Sequence, residues 1–481
     1  MPDRLDRDAR LHPSKHVSAT AAPSTGVSRQ LADVLAETSF DDLPRAVVEE
    51  AKRATLDWLG SALAGSVERS ARMAQRVALG LGTSGDATVF SAGRASAAAA
   101  AFANGVASHI LELDDVHKGS TLHAAAPVIP AALGVAERER ATGRDFLRAV
   151  VLGYEAALRV GEAVNPTHYR YWHPTGTAAT FGAAAAAGSL LALSPAQMLD
   201  ALGSAGTQAA GLWEFNADGA MSKSLHPGKA AFNGVLAADL ARAGFTGATR
   251  ILEGERGFFR ATSTSYDATR VTEGLGERWK VVENCYKMHS CCGHTHTAID
   301  VSLDMRAQRG WTAGTALLDI DCIEIETYGP GYDIVKEMNP GTPYRAKFSL
   351  AYCVAAALLE GQVGLAQFSD DRFGGDGVRE PNIAELLPRI RVAVADDLTT
   401  MYPARWPTRI MIVLRTGERM CATSDYPRGN PENPVGTALL EEKFLSLVRA
   451  RFGGERAHRA LDAVRSIEDY SDMRESFASF A

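Results

Sequence analysis

The chain has 481 residues, 46% of them hydrophobic, enough for the cores of two or three packing units. A formal net charge of −7 argues against nucleic acid or an anionic membrane as the main partner, so any anion site must be local. The six cysteines (Cys285, Cys291, Cys292, Cys322, Cys353 and Cys421) lack the spacing of a disulfide framework. With no run of 18 uncharged apolar residues and no signal-peptide core, the expectation is a cytoplasmic location.

Residues 1–27 are polar and rich in Ser, Thr, Ala and Pro, with Asp3, Asp6 and Asp8 where a transit peptide avoids acids, and read as a disordered tail. From Ser28 the pattern is helical. Val47, Ala51, Ala54, Trp58 and Ala62 recur on one helix face, and further helices are predicted over 95–110, 125–136, 146–160, 178–191 and 230–243. Most are rich in Ala and Gly, which implies short interaxial distances. Two histidines precede prolines, in Trp172-His173-Pro174-Thr175-Gly176 and Lys223-Ser224-Leu225-His226-Pro227-Gly228. Both read as turns that break the helical pattern and lead into a small-residue helix, whose N-terminus suits an anion.

The character changes near Val281. Residues 323–327, 390–394 and 410–414 alternate like half-buried strands, Thr416-Gly417 reads as a hairpin turn into 419–423, and helices over 294–308 and 346–359 lie between. After the loop Pro427–Pro434, helix resumes over 439–451. The expected fold class is therefore mainly α: a large all-helical domain (28–280), a smaller inserted α+β lid domain (281–425), and C-terminal helices (426–481) that rejoin the helical domain. A ligand site between the two is expected.

Chemistry-bearing residues fall in four segments: His109 to His123, the His173 and Lys223/His226 segments, and Tyr286-Lys287-Met288-His289-Ser290-Cys291-Cys292-Gly293-His294-Thr295-His296. Together these resemble the 2-methylcitrate dehydratase family, also called MmgE/PrpD, which includes cis-aconitate decarboxylases and iminodisuccinate epimerases. The resemblance spans Ser28 to Leu447 and includes Ala346-Lys347-Phe348-Ser349-Leu350 and the Asn430-Pro431 loop. It implies catalytic roles for Glu112, His123, His173, Lys223, Lys287 and Cys292, substrate binding by Ser222, His226 and His296, and no metal or organic cofactor. The chain departs from the family pattern at His123-Ala124, where His-Pro is usual, and at Ser290, where proline is usual. Cys292 stands where the decarboxylases carry histidine, which points away from decarboxylation. His289 and His294 look particular to this chain.

The implied function is a cofactor-free lyase or isomerase acting on a small di- or tricarboxylate, in a homodimer. Dehydration, epimerisation and decarboxylation all pass through negative charge beside a carboxylate. Lysines can offset that charge, and histidine suits the proton transfer near neutral pH. His123 and His173 are expected to converge on one cleft and to give a pH limb around 6 to 7.5, while Lys223, on a turn, should matter little to the fold. Against these stand plainer readings: Asp114 and Asp115 as helix caps, Lys287 at the surface, Cys291 and Cys292 as buried small hydrophobes, and His117, His168 and His289 in local contacts. Two other classes are a metallohydrolase built on Cys291, Cys292, His294 and His296, and a non-catalytic binding scaffold.

Overall fold

Small residues set how closely the helices approach in the computed structural model, which describes residues 26–82 and 84–481. The sequence up to residue 25, including His12 and His16 and most of the expected tail, lies outside the described residues. Helices Ala97–His109, Ala125–Glu139, Gly143–Val164, Ala178–Leu190 and Ser222–Arg242 pack on one another. Residues 178–189 are buried all round, as an Ala-rich helix without a polar face must be. At one crossing, a Cβ on Gly105 would lie 2.9 Å from the Gly228 Cα, so neither helix can carry a side chain there. That contact brings the end of the 97–109 helix, at His109, close to His226.

Four of the predicted helices differ from the observed ones by a few residues at their ends. The fifth is corrected: helix Ser222–Arg242 begins eight residues before the predicted Ala230 and runs through His226-Pro227. Proline lacks the N–H that would bond back to residue 223. Pro227 is the sixth residue of this helix, close enough to its start that losing one bond does not end it. His173-Pro174, by contrast, is a turn before Ala178, as expected.

The fold is mainly helical with small sheets. The largest sheet orders its four strands as Ile390–Val394, Ile320–Thr327, Thr408–Leu414 and Arg419–Ser424. Its first pair is parallel (Ile323 opposite Ile390) and the others antiparallel (Ile325 opposite Ile410). Alternate residues of 408–414 are buried, the period-2 pattern of a sheet with one covered face. Helices His296–Arg309 and Leu350–Glu360 pack with these strands, and Gly417 (φ 86°) makes the predicted hairpin turn. A short hairpin, Ala87–Val89 with Gly93–Ala95, was not predicted. One apolar core draws on Leu31 through Tyr286 and again on Val435 through Phe480; a second draws on Cys291 through Leu414. Among the described residues all six cysteines are free, and no helix is long and apolar enough to cross a membrane.

Candidate active site

The helix that ends at His109 delivers the first group of side chains. The chain then reverses through Glu112, held at φ 58°, a left-handed conformation that a non-glycine residue adopts at a cost. The reversal points neighbouring acids in different directions. Asp114 accepts from His109 Nδ1 at 2.6 Å and lies 3.4 Å from His123 Nδ1. Burial opposes its charge, yet the two imidazoles outweigh burial and hold the Asp114 carboxyl well below the usual range. Asp115 turns away, accepting from the Ala125 N–H at 3.1 Å and from the Tyr154 hydroxyl, and burial pushes it up to about 7. The capping role considered for the pair therefore belongs to Asp115 alone.

Glu112 faces two lysines. Lys223 Nζ pairs with Oε1, and Lys287 Nζ lies 3.3 Å from Oε2. All three side chains are buried. Burial alone would raise the Glu112 pKa, but Lys223 and Lys287 reverse the effect and keep it an anion far below its ordinary range. Lys287 is raised: burial opposes its charge, and Glu112 and Asp114 restore it. Its surface reading is thus set aside. So is the placement of Lys223 on a turn, because it is the second residue of helix Ser222–Arg242, buried over the Phe348 ring. A lysine at a helix N-terminus sits at the positive end of the dipole, which Glu112 offsets.

His123 and His173 do converge, with ring centroids 6.2 Å apart. His109 is 4.7 Å from the first and 5.5 Å from the second. His123 Nδ1 faces the Asp115 carbonyl oxygen at 2.5 Å, and its backbone N–H donates to Thr175 Oγ1 at 3.1 Å. His173 Nδ1 lies 3.0 Å from His226 Nδ1, so one of these nitrogens carries a hydrogen and the other accepts it. Burial pushes His123 down to about 4 despite Asp114. Burial and the neighbouring cationic groups hold His173 well below its ordinary value, and burial takes His226 to about 4. At neutral pH all three are uncharged bases.

These groups surround a small cavity lined by Glu112, His123, His173, Lys223 and Cys292. Val116, Thr121, Tyr169, Trp213, Gly293, His294, Phe348 and Trp406 complete its wall. Lys287 and His226 stand one layer behind, through Glu112 and His173. Two expected substrate contacts are elsewhere. Ser222 lines a separate apolar groove on the far side of its helix, and His296 Nε2 faces the Cys291 carbonyl 3.3 Å away. Burial pushes the Cys292 thiol up to about 11, so it stays protonated. The metallohydrolase arrangement is not formed among the described residues: Cys291 meets Thr295, and His294 Nδ1 meets the Tyr328 hydroxyl at 2.6 Å. His117, His168 and His289 make local contacts with Ser120, Thr177 and Asp300.

Sequence reasoning missed Asp114 as a partner of the histidines, and it missed His109. The four-residue gap between them was the available signal. It also missed Lys443, whose Nζ reaches in from helix Thr437–Phe452 to Asp57 (2.6 Å) and to the carbonyls of Leu113 and Lys287 (both 2.7 Å). This one ammonium ties together the loops that carry Asp114 and Lys287.

A mainly helical scaffold that buries ionised carboxylates, lysines and neutral histidines around a cavity is an enzyme's arrangement, because such groups are costly to bury without a use. The chain belongs to the MmgE/PrpD family: the N-terminal domain model matches residues 29–270 and the C-terminal domain model residues 289–469. It is similar to the cis-aconitate decarboxylase-like protein oryM of Aspergillus oryzae, 29% identical over 95% of this chain and 98% of that protein. Cis-aconitate decarboxylases of Aspergillus terreus (27% identical; 95% of this chain, 96% of that one) and Homo sapiens (27%; 89% and 88%) are also similar. The chain is an enzyme of this family, which replaces the reading of a non-catalytic scaffold.

Proposed function

We propose that the protein is a lyase acting on a small di- or tricarboxylate by moving a proton at a carbon next to a carboxylate. The observation that carries this reading is the meeting of two uncharged imidazoles, His123 and His173, with Lys223 on one buried cavity. An uncharged imidazole is a competent base, and the Lys223 and Lys287 ammoniums offset the charge that develops on the substrate carboxylate. In a dehydration the C–H electron pair forms the enediolate and the proton goes to imidazole nitrogen. The pair then forms the alkene as hydroxide leaves the β-carbon, taking up a proton to become water. The 281–425 region acts as a lid in this reading, because it supplies Cys292, His294, Phe348 and Trp406 to a cavity whose other wall comes from residues of the 28–280 region, with Lys287 behind Glu112. Turnover is proposed to need no metal or organic cofactor and should survive exhaustive chelation.

A second reading, decarboxylation of the cis-aconitate type, is favoured by the names of the relatives. There the C–CO2 bond breaks, carbon dioxide leaves, and the electron pair left on carbon takes a proton. Epimerisation of the iminodisuccinate type would use the same histidines to remove and return one proton. Incubation with a panel of di- and tricarboxylates in deuterated water, followed by NMR, separates the three: a new alkene with water lost, carbon dioxide with deuterium at the old carboxyl position, or exchange alone. No change in any substrate of the panel would defeat the reading. A homodimer is carried forward as a proposal, supported by exposed Met73, Val77, Met221 and Leu225 around one groove, and is checked by light scattering.

A further inference from the structure

His109, His123 and His173 each offer a ring nitrogen within 4.8 Å of the others. The nitrogens facing away are already engaged: His109 Nδ1 with the Asp114 carboxylate (2.6 Å), His123 Nδ1 with the Asp115 carbonyl (2.5 Å) and His173 Nδ1 with His226 (3.0 Å). That leaves Nε2 of each ring as the ligand atom. His109 Nε2 is buried and has no hydrogen-bond partner among the described residues. A ring anchored through one nitrogen by a carboxylate, a carbonyl or a second imidazole presents its other nitrogen as an oriented, more basic ligand.

The ring separations of 4.7, 5.5 and 6.2 Å suit three imidazoles around one small ion. Nitrogens at ~2.0–2.1 Å from a tetrahedral zinc lie ~3.4 Å apart, which small ring rotations can reach. His123 and His173 also line the cavity, so a fourth position would open toward it. The other cluster of this kind, His117, Glu162 and Glu283, differs in one decisive respect. Lys280 Nζ already sits 3.0 Å from a carboxylate oxygen of each glutamate and supplies the positive charge there. Among the described residues no lysine or arginine lies within the histidine triad in this way. Three imidazoles suit borderline ions such as Zn2+, Cu2+, Ni2+ and Co2+, whereas Mg2+ and Ca2+ require oxygen ligands.

We propose that His109, His123 and His173 form a binding site for one borderline divalent transition ion, and that its occupancy switches the enzyme off. The ion takes the nitrogen lone pairs that would otherwise accept the substrate proton. The inhibition rests on the proposed function; the binding does not.

The test titrates Co2+ into the chelator-treated full-length protein, following visible d–d absorption, with Zn2+ as competitor and turnover measured on the same samples. The expected result is one equivalent of Co2+ bound with tetrahedral intensity, displaced by Zn2+, with turnover falling in proportion to occupancy and restored by chelator. His109→Gln should weaken Co2+ binding tenfold or more, as should His123→Gln, whose side chain is at the cavity surface and less critical to the core. His117→Gln should leave binding unchanged. Absence of binding at millimolar Co2+ and Zn2+ would overturn the site, whatever reaction the enzyme runs. Binding unaffected by both triad variants would overturn the ligand assignment, and full occupancy with full turnover would overturn the inhibition. Failure of the proposed function shows separately, as inertness of the metal-free protein toward the whole carboxylate panel.

Discussion

The two sides of the cavity handle charge in opposite ways. On one, Glu112 keeps its charge between Lys223 and Lys287, and in turn holds Lys287 protonated. On the other, His123, His173 and His226 are buried close together and kept uncharged. Both are buried to a similar degree, so burial alone does not decide the outcome. What differs is complementarity: two lysines overcome burial and keep the acid charged, whereas nothing around the imidazoles is strong enough to overcome burial, which keeps them neutral. One side is fixed charge, fit to hold and stabilise an anion. The other is a set of bases able to accept a proton.

The largest effect should come from breaking the base side. Replacing His123 or His173 with Gln is expected to lower kcat by about 10²–10⁴-fold for whichever transfers the proton, with substrate binding largely kept. Steady-state kinetics with binding measured by calorimetry checks this; retained kcat in both variants would exclude the histidines as bases. Lys223→Ala should cost about a hundredfold in turnover. It should also destabilise the fold, by roughly 3 kcal/mol, because a buried Glu112 would keep only one of its two partners. That corrects the expectation that Lys223 is dispensable to the fold, and chemical denaturation measures it. His226→Ala, which frees the His173 ring, should lower kcat about tenfold while KM changes little.

The smallest effects concern pH. With His123 at about 4 and His173 held low, the base form persists across neutral pH, so kcat/KM should show no limb at 6 to 7.5 and should fall only as pH drops toward about 4. This shifts the limb expected from an unperturbed histidine. Stability should follow the same groups. His168 and His226 at about 4 and His294 at about 3 bind protons less readily folded than unfolded, where the value is near 6.5. Their stabilisation is complete above about pH 6.5 and is lost as pH falls from there toward 4. Thermal melts across that range should show a falling midpoint; a flat profile would mean that these rings are not held neutral.

Much of the fold was legible because its signals are periodic. Strands 320–327 and 408–414 alternate, and the Ala-rich helices announce themselves by composition. The two His-Pro segments mark where local reasoning fails: the dipeptide is the same, yet His173-Pro174 is a turn and His226-Pro227 is helical, because only the second lies in the first turns of a helix packed glycine to glycine on its neighbour. The site was legible where the family motifs lie, at Glu112, His123, His173, Lys223 and Cys292, all of which line the cavity. Tyr169, Trp213 and Trp406 left no trace in their local sequence, because aromatic walls are defined by tertiary packing alone. His109 and Asp114 were present in a segment already under scrutiny, but their pairing depends on the left-handed turn at Glu112, which no residue preference announces.

The reach of Lys443 sets an order of events during synthesis. Every residue that lines the cavity has been synthesised once Trp406 is made. The carbonyls of Leu113 and Lys287 nevertheless have no common donor until helix Thr437–Phe452 emerges and Lys443 is delivered beneath them. A nascent chain therefore carries all the parts of the site before it carries the brace that aligns them. The site is braced only when helix Thr437–Phe452 has been added.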